Sequence, residues 1–168
     1  MQVFLIRHPR PIIGRGICYG RLDVDCEDPQ PIALGLRPQI PAGTPVISSP
    51  LRRARVLAQA LDPCASVDER LSEIDFGEWE GRPWDDIDRT ALDAWAADVL
   101  HFVPPRGESV AQLQARALDF AESLDLPAVA LVAHAGILRA LVGHWRRLPA
   151  DEWTRLQFEF GGLTELTC

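Results

Sequence analysis

The chain has 168 residues, 47% of them hydrophobic and 24% charged, a composition typical of an ordinary soluble globular protein. Its formal net charge of -7 argues against a general nucleic-acid binder, because a phosphate backbone requires a basic protein surface. No segment approaches the roughly 20 uncharged apolar residues of a membrane helix, and the N-terminus does not resemble a signal peptide, so we expect a cytoplasmic protein without a membrane partner.

The length suits one hydrophobic core, and no repeat, low-complexity tract or long linker divides the chain. We therefore expect a single domain over residues 1–168. The four cysteines include no C-x-x-C pair and have no histidine at metal-ligand spacing. This pattern predicts free thiols, with neither a disulfide framework nor a zinc site. The sequence carries no signal for the oligomeric state.

The first half of the chain alternates predicted strands with loops and one helix. Val3–Ile6 is a short apolar run that predicts a buried strand, and the Val-Ile pair within Pro45–Ser48 predicts a second one. Between them, Pro9–Pro31 has several Gly and Pro residues and no clear periodicity, which is typical of a binding or lid loop. Apolar residues at 3.6-residue spacing then predict a helix over Leu51–Leu61.

The second half adds three helices and two strands. An acid-rich segment contains a predicted helix at Trp84–Val99 with a mostly solvated charged face, and Val110–Leu124 predicts an amphipathic helix. Ala128–Ala133 predicts a third strand, Ile137–Trp145 another helix, and Leu163–Leu166 an edge strand. Apolar strands that alternate with amphipathic helices predict an α/β fold, a three-layer α/β/α sandwich with a mainly parallel central sheet.

Two of the predicted strands end in histidine. The first strand is followed directly by Arg7 and His8, and the Ala128–Ala133 strand by His134 and a helix. Ligands of open α/β sheets bind at the carboxyl ends of the strands, so these distant histidines are expected to converge. Either histidine alone is more often structural, whereas the pair beside Arg7 favours a functional site.

A third strand end adds the N-terminus of a helix. Ser49 predicts an N-cap and Pro50 suits the first helical position. The free amides and positive dipole end of that helix would form an anion site at the same edge of the sheet. Arg53 flanks the apolar stripe of the helix and Arg52 lies on its polar face, so we assign Arg53 to the pocket; the alternative is that these arginines are surface charges.

Five blocks of the sequence carry a family resemblance when they are taken in order. They are Leu5–His8, Ser48–Ala54, Leu71–Gly81, Gly107–Ser109 and Ala133–Gly136. Together they resemble the histidine phosphatase superfamily, whose members have the phosphoglycerate mutase-like fold, and the resemblance spans nearly the whole chain. Within that superfamily, the loop Gly16–Val24 resembles the corresponding loop of alpha-ribazole phosphatases, which dephosphorylate a nucleotide-like intermediate of cobalamin biosynthesis.

The resemblance implies phosphoryl transfer through a phosphohistidine at His8, with Arg7, Arg53 and His134 as the phosphoryl clamp. A nucleophilic histidine must be neutral, and two neighbouring arginines disfavour its imidazolium form. The transition state of phosphoryl transfer spreads negative charge over three equatorial oxygens, so a fixed cationic ring stabilises it without a metal. We therefore expect a phosphomonoesterase without a cofactor, with a small phosphorylated substrate as its partner.

The resemblance also implies that Glu73 is the general acid that protonates the leaving alkoxide. The surrounding acidic residues are expected to raise the pKa of its carboxyl group, because like charges repel. Glu78 is the alternative, since a shift in the alignment would exchange the two. Tyr19, Arg21 and Trp79 are candidate substrate-binding residues at the mouth of the site, with surface packing as the other interpretation.

The chain departs from the family pattern after the nucleophilic histidine. The family usually has Gly at the next position and often Thr two residues later, whereas this chain has Pro9 and Pro11. Pro9 has no N–H to donate to a phosphate, and Pro11 removes a hydroxyl group. The segment from Pro31 to Pro41 is also short for the helix that the family has there, which favours a small or shallowly bound substrate.

Several functions remain open at this point. The leading hypothesis is a phosphomonoesterase that acts on alpha-ribazole phosphate or a similar nucleotide-like or sugar phosphate. A protein phosphohistidine phosphatase is the second enzymatic hypothesis, although such enzymes typically lack an acid equivalent to Glu73. A mutase is third, since no long insertion is present to retain an intermediate. A catalytically weak phosphate-binding regulatory module is the non-enzymatic alternative, and Pro9 and Pro11 are the features that support it.

Overall fold

The computed structural model describes residues 1–168 and contains one five-stranded sheet. The strand order is β3-β2-β4-β1-β5, and only β5 is antiparallel to its neighbour. The mainly parallel sheet predicted from the sequence is therefore confirmed. The strands are β1 (Gln2–Arg7), β2 (Val46–Ser48), β3 (Ser66–Val67), β4 (Ala128–Ala133) and β5 (Leu163–Thr167).

Helices cover both faces of this sheet and complete the predicted three-layer α/β/α sandwich. One face packs against α1 and α2, and the other packs against α4, α5 and α6. None of the helices combines the length and apolar character needed to cross a membrane. The helices are α1 (Gln30–Leu36), α2 (Arg52–Leu61), α3 (Arg89–Ala97), α4 (Val110–Glu122), α5 (Ala135–Arg146) and α6 (Ala150–Trp153).

The central strand β1 explains why the apolar runs of the sequence are continuous. Val3 and Leu5 pack into the core beneath α4 and α5, while Phe4 and Ile6 pack into the core beneath α1 and α2. All four side chains are fully buried. A strand that is covered on both faces has no solvent-facing position, so its sequence does not alternate. The same reasoning applies to β4, and it fixes the carboxyl ends of both strands at one edge of the sheet.

Two sequence-based predictions about helix ends are wrong. Ser49 and Pro50 do not begin α2; the N-cap is Leu51, with extended backbone at φ -64° and ψ 133°, and the helix starts at Arg52. The reason is that the Ser49 hydroxyl is held by another residue, described below. The helix predicted over Trp84–Val99 is also too long.

The helix observed in this region is shorter than the predicted one because an N-cap residue lies within the predicted range. Trp84–Asp86 forms a separate 3₁₀ turn, and α3 begins only after Asp88, whose carboxylate accepts the amide hydrogen of Ala91. That carboxylate satisfies a free amide of the first turn, so the helix starts there. At the start of α4, in contrast, Ser109 is the N-cap and forms a capping box with Gln112.

The acid-rich segment around the predicted helix Trp84–Val99 also contributes side chains to an aromatic cluster. The sequence-based interpretation of this segment as a mostly solvated face did not predict that cluster. Trp79 is its centre, and only 3% of this side chain is exposed. Trp79 stacks on Phe102, with ring centroids 5.7 Å apart, and Trp84 stacks on Trp95 at the same distance. Trp79 therefore packs inside the protein, and its suggested place at a substrate mouth is wrong.

Candidate active site

His8 and His134 meet because they follow adjacent parallel strands in register. Arg7 of β1 pairs with Ala133 of β4, and each strand is followed directly by its histidine. The backbone amide of His8 extends the ladder by donating to the Ala133 carbonyl at 3.0 Å. The two imidazole rings lie 4.9 Å apart between centroids. The convergence expected from the strand ends is thus present in the structure.

His8 is held in one tautomer by its own neighbour in the chain. Its Nδ1 lies 2.6 Å from the carbonyl oxygen of Pro9, which can only accept a hydrogen bond. Nδ1 therefore carries the hydrogen, and Nε2 has a free lone pair. Burial lowers the pKa of His8 to about 3, with further lowering by Arg53 and Arg7. The ring is therefore neutral at physiological pH. Pro9 has no N–H to donate, but its carbonyl accepts the hydrogen bond that fixes the tautomer of His8.

His134 is fully buried and paired with Ser49. Its Nε2 lies 2.7 Å from Ser49 Oγ, and this oxygen also accepts the amide hydrogen of Leu51 at 3.3 Å. The pairing follows from topology, because Ser49 comes directly after β2, the strand on the other side of β4. Burial, followed by the charge of Arg53, lowers the pKa of His134 well below its ordinary value.

Arg53 is the buried arginine of the α2 N-terminus. No part of its side chain is exposed, and its two terminal nitrogens donate to the carbonyls of Leu22 (2.9 Å) and Gly20 (2.6 Å). Burial lowers its pKa, and the charge of Glu73 acts in the opposite direction. Arg52, in contrast, is exposed and pairs with Asp25 at 3.0 Å. The loop of residues 20–22 thereby holds the Arg53 guanidinium against the strand ends.

Arg7 lies at the end of β1 and is anchored by the C-terminal part of the chain. Its Nη1 donates to the Phe158 carbonyl at 2.6 Å, and its guanidinium carbon lies 3.7 Å from the centroid of the Phe160 ring. Phe160 also contacts the His8 ring, with centroids 5.5 Å apart. This stacking fixes the plane of the guanidinium beside the imidazole.

Three buried side-chain nitrogens in the chain have no hydrogen-bond partner, and all three belong to this group of residues. They are Nε of Arg7, Nε of Arg53 and Nδ1 of His134. A buried polar group without a partner costs about 1–3 kcal/mol, so natural proteins rarely contain one without a functional reason. These nitrogens sit where the sequence predicts anion binding, and an oxyanion is the ligand that would satisfy them.

The Glu73 carboxylate lies at the first turn of α5, the helix that follows His134. Its carboxylate accepts the amide hydrogens of Gly136 at 3.1 Å and Ile74 at 3.0 Å. Gly136 leaves the room for it, since a Cβ at this position would lie 2.3 Å from Glu73 Oε1. Burial lowers the pKa of Arg7 and of Arg53, and the charge of the nearby Glu73 carboxylate acts in the opposite direction on both.

Two other acidic residues near Glu73 in the sequence form ion pairs with arginines. Glu78 is largely exposed and pairs with Arg106 at 3.4 Å. Asp68 pairs with Arg70 at 2.7 Å, which lowers the pKa of that carboxyl group. Two of the acidic residues expected to surround Glu73 are therefore paired with arginines instead. Glu73 contacts the start of α5 and acts on the charges of Arg7 and Arg53, whereas the competing Glu78 lies at the surface.

Arg116 is a site-supporting residue that the sequence analysis missed. It projects from α4, and its guanidinium donates to the carbonyls of Ser72 at 2.6 Å and Glu73 at 3.1 Å. Glu108 pairs with it on the other side, with Nε to Oε2 at 3.2 Å. These bonds fix the backbone that carries Glu73. No local pattern marks Arg116, because its partners come from a distant segment.

Tyr19 and Arg21 lie on the loop over the site but have different surroundings. The Tyr19 ring lies 5.5 Å from the Arg53 guanidinium carbon and lines a cavity together with Glu73. Burial raises the pKa of its hydroxyl group. Arg21 is partly exposed and faces two carboxylates, Glu108 at 3.6 Å and Asp75 at 3.9 Å. No group of three or more His, Cys, Asp or Glu side chains is arranged to hold a metal ion.

Neutral His8 has a consequence for acid stability. An unfolded histidine has a pKa of about 6.5, and burial lowers that of folded His8 to about 3, so between these values the unfolded state binds more protons. Stability therefore falls as the pH drops from 6.5 towards 3. Between pH 7 and pH 5, this single group accounts for a loss of about 2 kcal/mol.

We expect His8→Asn to remove that part of the pH dependence. In urea unfolding at pH 7 and pH 5, the variant should lose about 2 kcal/mol less stability than the wild type between the two conditions. The exposed His101→Asn variant is the control and should retain the wild-type difference to within a few tenths of a kcal/mol. Equal pH dependence of His8→Asn and wild type would contradict a buried neutral His8.

Comparison with known protein families agrees with this geometry. The family model described as histidine phosphatase superfamily (branch 1) matches residues 3–168. Glucosyl-3-phosphoglycerate phosphatase of Mycolicibacterium vanbaalenii is 30% identical, over 90% of this chain and 77% of its own length. Adenosylcobalamin/alpha-ribazole phosphatase of Salmonella typhimurium is 29% identical, over 69% of this chain and 63% of its own length.

Solved structures with the same fold include a phosphatase candidate from Escherichia coli. The crystal structure described as that of a candidate alpha-ribazole-5'-P phosphatase superposes with a TM-score of 0.86, over 98% of this chain and 89% of that one. At 23% identity, this likeness establishes the fold alone.

Proposed function

The chain belongs to the histidine phosphatase superfamily, branch 1, and is a phosphatase; on that premise we propose that it hydrolyses phosphomonoesters through a phosphohistidine formed at His8 Nε2. The observation that carries the proposal is the set of three unpartnered buried nitrogens, on Arg7, Arg53 and His134, around a neutral histidine. Two of these groups are permanent cations, and the third is a neutral imidazole that donates a hydrogen bond when Nδ1 carries the hydrogen, a set that suits the three equatorial oxygens of a transferring phosphoryl group.

In the first half-reaction, the lone pair of His8 Nε2 attacks phosphorus and the bond from phosphorus to the leaving oxygen breaks. The hydrogen stays on Nδ1 and remains hydrogen-bonded to the Pro9 carbonyl, so the phosphorylated ring keeps its N–H. The leaving alkoxide takes its proton from the carboxyl group of Glu73, which is held at the start of α5. The products of this step are the free alcohol, phosphohistidine and the Glu73 carboxylate.

In the second half-reaction, water attacks the phosphohistidine. The Glu73 carboxylate accepts a proton from the attacking water, as the reversal of its first role. The bond between phosphorus and Nε2 breaks, its electron pair returns to His8, and phosphate leaves. Each cycle consumes one ester and one water, and the enzyme returns to its starting protonation state.

For the substrate we propose a small phosphorylated metabolite, with alpha-ribazole 5'-phosphate, a compound of cobalamin biosynthesis, as the first candidate. The support is the loop Gly16–Val24 and the similarity to the Salmonella typhimurium enzyme. The similarity to the Mycolicibacterium vanbaalenii enzyme supports a phosphorylated sugar acid instead. A phosphohistidine protein substrate is less well supported, because a phosphoramidate has little need of an acid such as Glu73.

The proposal is tested with p-nitrophenyl phosphate at pH 5–8, with and without EDTA. We expect hydrolysis that EDTA does not change, because the cations of the site are side chains. Brief mixing with a phosphate-labelled ester followed by denaturation should trap protein-bound phosphate that is labile in acid and stable in base. Inactivity over the whole pH range would favour the alternative of a phosphate-binding regulatory module. Loss of activity in EDTA would contradict the clamp as proposed.

A further inference from the structure

A cavity of about 280 Å³ opens beside Glu73, and neither Arg7 nor Arg53 lines it. It lies between the aromatic cluster and the helices α4, α5 and α6. Twelve residues line it, and eight of these are hydrophobic. Its walls include the aromatic side chains of Tyr19, Phe76, Trp95 and Trp153. The mechanism proposed above uses Glu73 at one end of this cavity and leaves the rest of it without a role.

The position of the cavity relative to the reacting atoms suggests what it holds. Glu73 and Gly136 line it, and Tyr19 connects it to Arg53, whose guanidinium carbon lies 5.5 Å from the tyrosine ring. The phosphoryl group would lie among the unpartnered nitrogens, and the leaving oxygen would lie at the Glu73 carboxyl. The cavity is then the space beyond the leaving oxygen, which the body of the alcohol must occupy.

The lining of the cavity indicates the chemistry of that alcohol. Its charged members are Glu73, which is engaged at α5, and Arg139, whose Nε donates to the Leu156 carbonyl at 2.7 Å. Apart from the Arg139 cation, the largely apolar walls offer a polyol or a carboxylate few partners to replace its lost hydration. A flat apolar ring gains both burial and stacking on the aromatic walls. A cavity of about 150 Å³ holds benzene, so this one has room for a fused bicyclic ring.

The aromatic wall is rigid, as a recognition surface needs to be. Phe76 meets Trp95 edge to face, with ring centroids 6.1 Å apart and an interplanar angle of 88°. Trp95 in turn stacks on Trp84 at an angle of 10°. These contacts fix the ring positions before a ligand arrives, which reduces the entropic cost of binding.

We propose that this cavity is the leaving-group subsite and that it selects phosphate esters of alcohols that carry a flat aromatic or heteroaromatic ring. The assignment rests on the proposed function, because it requires hydrolysis at His8 with Glu73 beside the leaving oxygen. It adds the chemical class of the alcohol, and it distinguishes between the two types of substrate suggested by the relatives. A phosphorylated sugar acid does not suit the cavity, whereas a ring-bearing nucleotide-like ester does.

The test compares 2-naphthylmethyl phosphate with glycerol 3-phosphate, both esters of primary alcohols, so that leaving-group basicity is similar. For the wild type, we expect kcat/KM to be at least about tenfold higher for the naphthylmethyl ester, mainly through KM. Val99 lines the cavity and is 40% exposed, so Val99→Asp places a charge at the rim without disturbing the core. This variant should remove most of the preference, because kcat/KM should fall much further for the naphthylmethyl ester than for the glycerol ester.

Val103→Asp is the matched control, because Val103 is 49% exposed in the same segment and does not line the cavity. It should keep the wild-type preference. Equal kcat/KM values of the wild type for the two esters, a preference for glycerol 3-phosphate, or equal effects of the two aspartate variants would each overturn the subsite assignment alone. Hydrolysis of neither ester would overturn the proposed function itself, so the two failures are distinguishable.

Discussion

His8→Ala is expected to lower kcat for phosphomonoester hydrolysis by about 10⁴-fold or more and to abolish trapping of acid-labile phosphate. Removal of the nucleophile leaves no atom to accept the phosphoryl group, and water alone cannot replace it at a comparable rate. The clamp remains in this variant, since Arg7 and Arg53 are anchored by carbonyls of other segments. Inorganic phosphate should therefore inhibit residual turnover or bind in calorimetry with an affinity within about tenfold of the wild type.

The control for this experiment is His101→Ala, because His101 is exposed and pairs only with Asp98. It should retain full activity and full trapping. Rapid trapping of acid-labile phosphate in the His8→Ala variant would place the phosphoenzyme on another residue. Wild-type turnover without any trapped phosphate, under conditions where the first half-reaction is faster than the second, would contradict a covalent intermediate.

The fold was largely predictable because its information is local. The runs Val3–Ile6 and Ala128–Ala133 are buried on both faces, so unbroken hydrophobicity marks them as strands, and both lie in the sheet. The parallel arrangement followed from the helices between the strands. The prediction failed for Trp84–Val99. The apolar residues Trp84 and Trp95 stack on each other there and do not lie on one face of a continuous helix. Periodicity alone cannot distinguish such a cluster from the face of a continuous helix.

The centre of the site was predictable for a topological reason. Strands β1 and β4 are adjacent and parallel, so the residues that follow them must be neighbours, and these are His8 and His134. The partners of these residues were not predictable in the same way. Ser49 was interpreted as a helix cap and instead contacts His134, and Arg116 reaches the backbone at Glu73 from α4. Both contacts join segments far apart in sequence and have no local signature.

The departure from the family pattern at Pro9 affects the backbone N–H and the backbone carbonyl of this position differently. A proline has no N–H, so any phosphate contact from that amide is lost. Its carbonyl is retained, and this oxygen accepts the hydrogen bond that His8 Nδ1–H donates. The tautomer required for attack through Nε2 is therefore kept. The feature that supported a weak binding module is compatible with a competent nucleophile.

Glu73→Gln is expected to lower kcat/KM by about 10²–10³-fold for esters of alkyl alcohols, and by less than about tenfold for p-nitrophenyl phosphate. An alkoxide must be protonated as it leaves, whereas p-nitrophenolate leaves readily without a proton. The parameter kcat/KM reports the steps through formation of the phosphoenzyme, so it isolates the acid role from the later activation of water. A series of phosphate esters with graded leaving-group pKa measures the effect as a steeper dependence in the variant.

Two further variants separate the position of the carboxylate from its chemistry. Gly136→Ala places a Cβ 2.3 Å from Glu73 Oε1, so the carboxylate must leave the start of α5 while the helix itself tolerates alanine. It should reproduce the leaving-group pattern of Glu73→Gln with little loss of stability. Glu78→Gln is the matched control and should leave all rates unchanged, since Glu78 pairs with Arg106 at the surface. If Glu73→Gln slowed good and poor leaving groups equally, Glu73 would not be the acid, because a group that protonates the leaving oxygen must matter most where that oxygen is most basic.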